Sequence, residues 1–243
     1  MHSDIVELNT FYASPLGMLA ERSIMAALTS VWSPLSNERL VGLGYAAPYL
    51  DRFAPDTERT FAFMPAQQGA VCWPHGGPCA TALVFEEDLP LPDSAVDRIL
   101  MVHALEHAQD PRETVAEAWR VLAPGGRLVV VVPSRRGVWA RLEHTPFGHG
   151  RPWSRSQLAQ LLKGAGLAPT AWSDALHFAP SETRIGRRLA PLMERAGRRY
   201  WPVIAGAIVV EATKRVSQGI VAGQARSRRV LVPVLAPSGS AKT

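Results

Sequence analysis

The sequence predicts an α/β fold, a parallel sheet with helices on both faces. Three observations carry that expectation. Helical and strand patterns alternate along the chain. Two capping boxes, Asp110-x-x-Glu113 and Ser154-x-x-Gln157, mark definite helix starts. Between them Arg127–Val132 is an almost uninterrupted β-branched run, the pattern of a strand buried on both faces.

Taken in order, Ser14-Pro15 supplies a cap and a favoured first-turn proline for an opening helix over Leu16–Trp32. Leu40–Leu43, Thr60–Met64, Ala80–Phe85 and Arg98–His103 are short apolar runs, read as four strands. The helix capped by Asp110 carries Val115, Ala118, Trp119 and Leu122 on one face, and Pro124-Gly125-Gly126 is expected to end it. After Arg127–Val132, the helix capped by Ser154 is expected to stop at Gly164-Ala165-Gly166. Leu167–Phe178 reads as a strand, Ile185–Tyr200 as an arginine-rich helix and Gly206–Thr213 as the last strand. One domain over 1–215 is therefore expected, with its core over 38–213 and a basic, flexible tail over 216–243. Within that tail, Val230–Leu235 is the segment able to pair or dock.

Charge is unevenly placed. The formal net charge is +5, with 26 basic and 21 acidic residues. Lys214, Arg215, Arg226, Arg228, Arg229 and Lys242 are followed or joined by no acid, leaving 20 basic against 21 acidic residues for the body. The surplus therefore describes a tail and not a nucleic-acid-binding face, so no nucleic-acid partner is expected. Arg184, Arg187, Arg188, Arg195, Arg198 and Arg199 form a second cluster, read as the solvated side of a helix. No apolar run reaches the ~20 residues of a membrane span. Met1-His2-Ser3-Asp4 lacks the basic start and apolar stretch of a signal peptide, so a cytoplasmic location is expected. The two cysteines, Cys72 and Cys79, flank His75 in a loop rich in proline and glycine. A zinc site wants four ligands at characteristic spacings, so two reduced thiols and no metal are expected.

Asp88-Leu89-Pro90-Leu91-Pro92-Asp93-Ser94-Ala95-Val96-Asp97, then Val102-His103-Ala104-Leu105-Glu106-His107, then Arg120-Val121-Leu122-Ala123-Pro124-Gly125-Gly126-Arg127-Leu128 form an ordered set of motifs. In order and spacing this set resembles small-molecule class I methyltransferases of the type 11 kind. The resemblance implies a Rossmann-like class I methyltransferase fold, three-layer α/β/α, with a seven-stranded, mostly parallel sheet. It also implies S-adenosylmethionine (SAM) as cofactor, lying across the carboxyl ends of the first strands.

The family's cofactor positions carry over unevenly. Its acid, hydrophobe and Gly-x-Gly-x-Gly become Gly42-Leu43-Gly44-Tyr45-Ala46-Ala47-Pro48. Gly44 keeps the tight turn, Gly42 removes the acid, Ala46 adds a Cβ and Pro48 lacks an N–H. The acid that would accept from the ribose is replaced where the second strand runs into Met64-Pro65. The acid that would accept from adenine falls on Phe85, although a shift of one or two residues restores it as Glu86 or Glu87. Charged hydrogen bonds contribute roughly 1.5–3 kcal/mol each, so two or three losses weaken binding on the order of a hundredfold. Tyr45, Met64 and Phe85 offer apolar stacking on adenine as compensation.

Two segments are candidates for the chemistry. His103, at the end of the fourth strand, is the candidate ligand-facing residue, with His107 structural at the helix start. His144-Thr145-Pro146-Phe147-Gly148-His149-Gly150-Arg151-Pro152-Trp153 follows the fifth strand, where a substrate loop is expected, with His149 its catalytic candidate. Arg151 and Trp153 suit an anionic or planar group. Alternatively Arg151 and His149 fix the loop backbone while Trp153 staples the following helix.

Three functions compete. The first is a SAM-dependent methyltransferase acting on a small molecule with an atypical cofactor pocket. The second is a catalytically inactive methyltransferase-like protein, a pseudoenzyme acting as a binding or regulatory partner of another protein. The third is an RNA- or membrane-associated protein recruited by the basic tail.

Overall fold

The computed structural model describes residues 4–32, 34–181, 183–200 and 204–215, so the tail and its docking segment Val230–Leu235 lie outside the described residues. Seven strands form one sheet: β1 (Arg39–Gly44), β2 (Arg59–Pro65), β3 (Thr81–Val84), β4 (Val96–Val102), β5 (Leu122–Pro133), β6 (Leu167–Ala175) and β7 (Ala207–Lys214). Their order across the sheet is β3-β2-β1-β4-β5-β7-β6. β1 to β5 run parallel, and β7 inserts antiparallel between β5 and β6.

Alternation along the central strands makes the three layers. In β5, Val129 and Val131 belong to one buried cluster, while Leu128, Val130 and Val132 belong to the other. The first face is covered by α1 (Ile5–Ala13), α2 (Pro15–Val31) and α3 (Ala47–Phe53), through Leu8, Ile24, Leu28 and Leu50. The second is covered by α4 (Pro111–Val121) and α5 (Arg155–Gly164), through Val115, Ala118, Leu158 and Leu162. The expected opening helix is α2, capped by Ser14 Oγ, which accepts from Gly17 N at 3.0 Å. An earlier helix, α1, was not expected from the sequence; Asp4 Oδ1 caps it by accepting from Val6 N and Glu7 N at 2.7 and 2.9 Å.

Four local expectations are corrected. The capping box at Ser154 closes reciprocally, but at Asp110 the structure shows the cap alone, accepting from Arg112 N at 2.8 Å. Pro124-Gly125-Gly126 does not end α4, which stops at Val121; Leu122 already pairs with Val96, and the turn residues lie within β5. β6 stops at Ala175 instead of Phe178, because Leu176 takes a left-handed backbone (φ 64°) and turns its N–H onto Ser23 Oγ. Cys72 and Cys79 are not two reduced thiols but a disulfide, because their loop folds back on itself and sets the Cα atoms 5.4 Å apart, within bonding reach. Among the described residues no group of histidines, cysteines and acids is arranged to hold a metal ion, and no helix is long and apolar enough to cross a membrane.

The arginine-rich helix α6 (Arg184–Tyr200) follows the end of β6. It is pinned by Glu194, whose Oε1 accepts from Ser23 Oγ of α2 at 2.6 Å and whose Oε2 accepts from His177 N at 2.7 Å. Burial opposes ionisation of this carboxyl, but the hydrogen bonds from His177 and Ser23 outweigh it and hold its pKa below the ordinary 4.5. Its contribution to stability is therefore complete above the ordinary value and is lost as pH falls through the lower folded one. Glu194→Gln is expected to flatten the acid limb of stability against pH in that window; an unchanged limb by chemical denaturation would reject the assignment.

β1 ends on Gly44 at φ +82°, where an added Cβ would press on Val102 O and sit 2.8 Å from Ala104 Cβ. Gly44→Ala is expected to cost upward of about 2 kcal/mol and to lower Tm by roughly 4–8 °C in a thermal melt.

Candidate functional site

In an open parallel sheet a ligand crevice lies at the carboxyl ends of the strands where the chain changes direction across the sheet. Here that point is between β1, which leads to β2 on one side, and β4, which leads to β5 on the other. Gly44 turns the chain, and Tyr45 N donates to Val102 O at 2.7 Å. His103, the first residue after β4, takes φ +50° and is 1% exposed. A left-handed backbone at a non-glycine residue is a strained position that the surroundings must hold. Gln68 does so, donating from Nε2 to His103 O at 2.9 Å.

The His103 ring is clamped at both nitrogens. Nδ1 lies 3.0 Å from Glu106 Oε1, and Nε2 lies 2.9 Å from the Tyr12 hydroxyl. Tyr49 in turn donates to the Tyr12 oxygen at 3.0 Å. One proton arrangement serves the whole chain: Tyr49 to Tyr12, Tyr12 to His103 Nε2, and His103 Nδ1 to Glu106. Burial raises the Tyr12 hydroxyl well above its ordinary 10.0, and neighbouring Tyr49 adds to the shift. Tyr49 is raised too, chiefly by burial, and burial with Glu21 nearby pushes Tyr45 up to about 12. All three phenols therefore stay protonated donors near neutral pH.

Aromatic side chains fill the crevice. α1 brings Phe11 and Tyr12, and the turn Pro146–Gly148 brings Phe147, whose ring lies 4.8 Å from that of His103. Phe147 packs on Trp139 at 5.5 Å, and Trp139 on Phe178 at 5.4 Å. What remains is a cavity of about 10 Å³ lined by Pro65, Gln67, Gln68, Glu86, His103, Ala104 and His107. That is room for roughly one water. A nucleoside needs a cavity some tens of times larger. The chemistry around it is more favourable than the volume, for Gln68 in its lining keeps Oε1 as a buried acceptor without a hydrogen bond, as does Glu106 at its Oε2, beside the His103 ring. Buried acceptors of that kind suit the hydroxyls of a sugar.

The sequence-predicted positions divide into three groups. Gly42, Gly44, Tyr45, Ala46 and Met64 are at the crevice but face protein: a Cβ on Gly42 would lie 2.8 Å from Ala46 Cβ and from Leu50 Cδ1. Tyr45 is 3% exposed beneath α1, its hydroxyl 3.3 Å from Asn9 Oδ1, and Met64 is fully buried, its sulfur accepting from Val71 N. Pro65, Glu86 and His103 line the small cavity. Phe85 and Glu87 stand outside it, Phe85 61% exposed. Within the expected substrate loop, Phe147 enters the crevice, His149 is half-buried, and His144 and Arg151 are exposed. Gly150, at φ +74°, lets the loop pass 2.6 Å (from its notional Cβ) to Glu106 O, and Arg151 N donates to the same oxygen at 2.8 Å. Trp153 is buried in the cluster that holds Leu158, and its backbone zips onto Pro133 and Arg135. That is the place of a hydrophobic staple before the Ser154 cap. Tyr12, Tyr49, Gln68 and Glu106 were not singled out from sequence. Glu106 had a signal, standing between two residues of a quoted motif; Gln68 had none.

Comparison with known proteins supports the same fold. A family model described as a methyltransferase domain matches residues 78–130. The chain is 37% identical over 81 residues to a probable S-adenosylmethionine-dependent methyltransferase of Mycolicibacterium smegmatis, covering 32% of this chain and 31% of that protein. It is 32% identical over 117 residues to the 27-O-demethylrifamycin SV methyltransferase of Amycolatopsis mediterranei, covering 45% and 43%. The chain thus spans less than half the length of these curated relatives. Among solved structures, the putative methyltransferase in complex with the Haloferax volcanii Trm112 activator superposes with a TM-score of 0.63 at 17% identity, covering 89% of this chain and 100% of that one.

Tyr12→Phe removes the donor to His103 Nε2 and the acceptor for Tyr49. Leaving buried polar atoms unpaired costs roughly 1–3 kcal/mol, so the variant is expected to unfold at correspondingly lower denaturant. A midpoint equal to that of the natural chain would show that the clamp contributes nothing.

Proposed function

We propose that this chain, which belongs to the class I S-adenosylmethionine-dependent methyltransferase superfamily, transfers a methyl group to a small molecule from a crevice of atypical composition. The observation that carries the reading is the convergence of Gln68, Glu86, His103 and Glu106 at the turning point of the sheet, where the fold places its ligands. SAM, when bound, supplies an electrophilic methyl group. Gln68 Oε1, in the cavity lining, would be an acceptor for its hydroxyls in place of the acids lost at Gly42 and Met64, and Glu106 Oε2 would be a second one if opening of the crevice exposed it. Glu86 is the acid nearest the position from which adenine is held in the resembling family. The family pattern over 78–130 and the SAM-dependent name of one relative support the cofactor, and the rifamycin in the name of the other supports a small-molecule acceptor.

His103 has the placement of a general base. Glu106 orients its ring through Nδ1, and Nε2 becomes available to a substrate proton once Tyr12 withdraws. Entry of ligand therefore requires α1 and Phe147 to move aside, and their rings then cover the bound ligand from outside and exclude water. The closed arrangement lowers apparent affinity by the fraction of molecules that are open.

Calorimetric titration with SAM and S-adenosylhomocysteine tests the reading. Saturable binding of either is expected, and the absence of heat and of any thermal shift at millimolar ligand would overturn it in favour of an inactive binding protein. Tyr12→Ala removes the plug and is expected to bind S-adenosylhomocysteine more tightly than the natural chain. Unchanged or weaker affinity would reject the closure.

A further inference from the structure

We infer that the outward face of α6 docks the protein onto an anionic membrane surface. The rotation of this helix is fixed from inside. Ala190, Glu194 and Gly197 face the body, Glu194 through its bonds to Ser23 and His177, and Gly197 because a Cβ there would press on the His177 side chain. With that face held, Ile185, Leu189, Leu192 and Met193 point outward at positions i, i+4, i+7 and i+8, one continuous stripe at 3.6 residues per turn. They are 74%, 47%, 65% and 43% exposed, a concentration of large apolar surface that a body needing only solubility does not present.

The arc beside the stripe is basic. Arg184, Arg188 and Arg195 lie on it and are exposed. An apolar stripe flanked by arginines is the composition of a helix that lies in the plane of a bilayer surface: the apolar side chains enter the acyl boundary and the guanidiniums meet lipid phosphates. Charge also discriminates between occupants. The chain's own tail brings Arg226, Arg228, Arg229 and Lys242 without an acid, and a second copy would bring the same arginine row, so both repel this face. A nucleic acid would leave the apolar stripe without a partner.

The position of the helix adds to the case. α6 starts beyond the carboxyl end of β6, on the same edge of the sheet as the crevice. From there an unbroken row of rings, Phe178, Trp139 and Phe147, leads to His103. Docking through α6 thus holds the crevice edge near the lipid.

Flotation of the full chain with vesicles tests this. Binding is expected to vesicles of phosphatidylcholine with a quarter phosphatidylglycerol, to weaken as salt is raised, and to be lost on phosphatidylcholine alone. Arg184→Gln, Arg188→Gln and Arg195→Gln together are expected to lower the partition coefficient about a hundredfold, near fivefold for each arginine. Leu189→Glu with Leu192→Glu is expected to abolish flotation while the thermal melt stays that of the natural chain, since both positions are exposed. The tail variant Arg226→Gln, Arg228→Gln, Arg229→Gln is expected to retain binding. The inference is overturned if the chain fails to float with anionic vesicles, or if the tail variant loses binding while the α6 variants keep it. It is overturned equally if sedimentation shows a dimer that the leucine substitutions dissociate, which would assign the stripe to a second copy.

Discussion

The carboxyl ends of β1 and β4 pass so close that no side chain fits between them. Gly44 sits where a Cβ would strike Val102 O and Ala104, and only its left-handed backbone lets the next amide reach Val102 O. Tyr45 follows the crossing directly, and α3 starts two residues later and carries Tyr49. On the other side His103 leaves β4 with its own left-handed backbone, and its carbonyl is taken by Gln68. The crevice thus forms around one backbone contact: β4 delivers His103 and Glu106 to it, the segment after β2 brings Gln68, and α1 brings Tyr12.

Around that contact the chain has replaced charge with packing. Ala46 and Met64 stand where the resembling family keeps a glycine and an acid, and both are at most 1% exposed. Each is accounted for by neighbours: Ala46 fills the space beside Gly42, and Met64 takes the Val71 amide on its sulfur. Phe11, Tyr12 and Phe147 complete the filling from elements far apart in the sequence. In a buried crevice of this composition each of the few hydrogen bonds is worth more than in water.

The layers were legible because the periodicities of strands and capped helices are local signals. Arg127–Val132 announced a strand buried on both faces, and its residues do divide between two clusters. Ser154 and Gln157 announced a helix start and make both reciprocal bonds. The boundaries were less legible, because tertiary pairing decides them: Leu122 joins the sheet opposite Val96 before the glycines that read as a stop. The closure of the crevice was not legible at all. Tyr12, His103 and Phe147 meet across 91 and 44 positions of sequence, and no spacing rule reports that meeting. The outward apolar face of α6 was hidden for a similar reason, since its arginines alone resemble an ordinary solvated helix until Glu194 fixes which side turns in.

Ser14 ends α1 and caps α2 with the same residue, its N–H bonded to Phe11 O and its Oγ receiving Gly17 N. A joint one residue long separates two helices with unequal holds on the body. α2 packs against β6, β7, α3 and α6, whereas α1 rests on α2 and on the Pro146–Gly148 turn and is otherwise tied down by single bonds of Ile5 N, Asn9 and Tyr12 at the crevice. The two are therefore built to open on separate free-energy scales, α1 by a local excursion about Ser14 and α2 with the sheet as a whole. Amide hydrogens of Leu8–Tyr12 would then exchange with solvent long before those of Ile24–Leu28, although both sets are buried and helical.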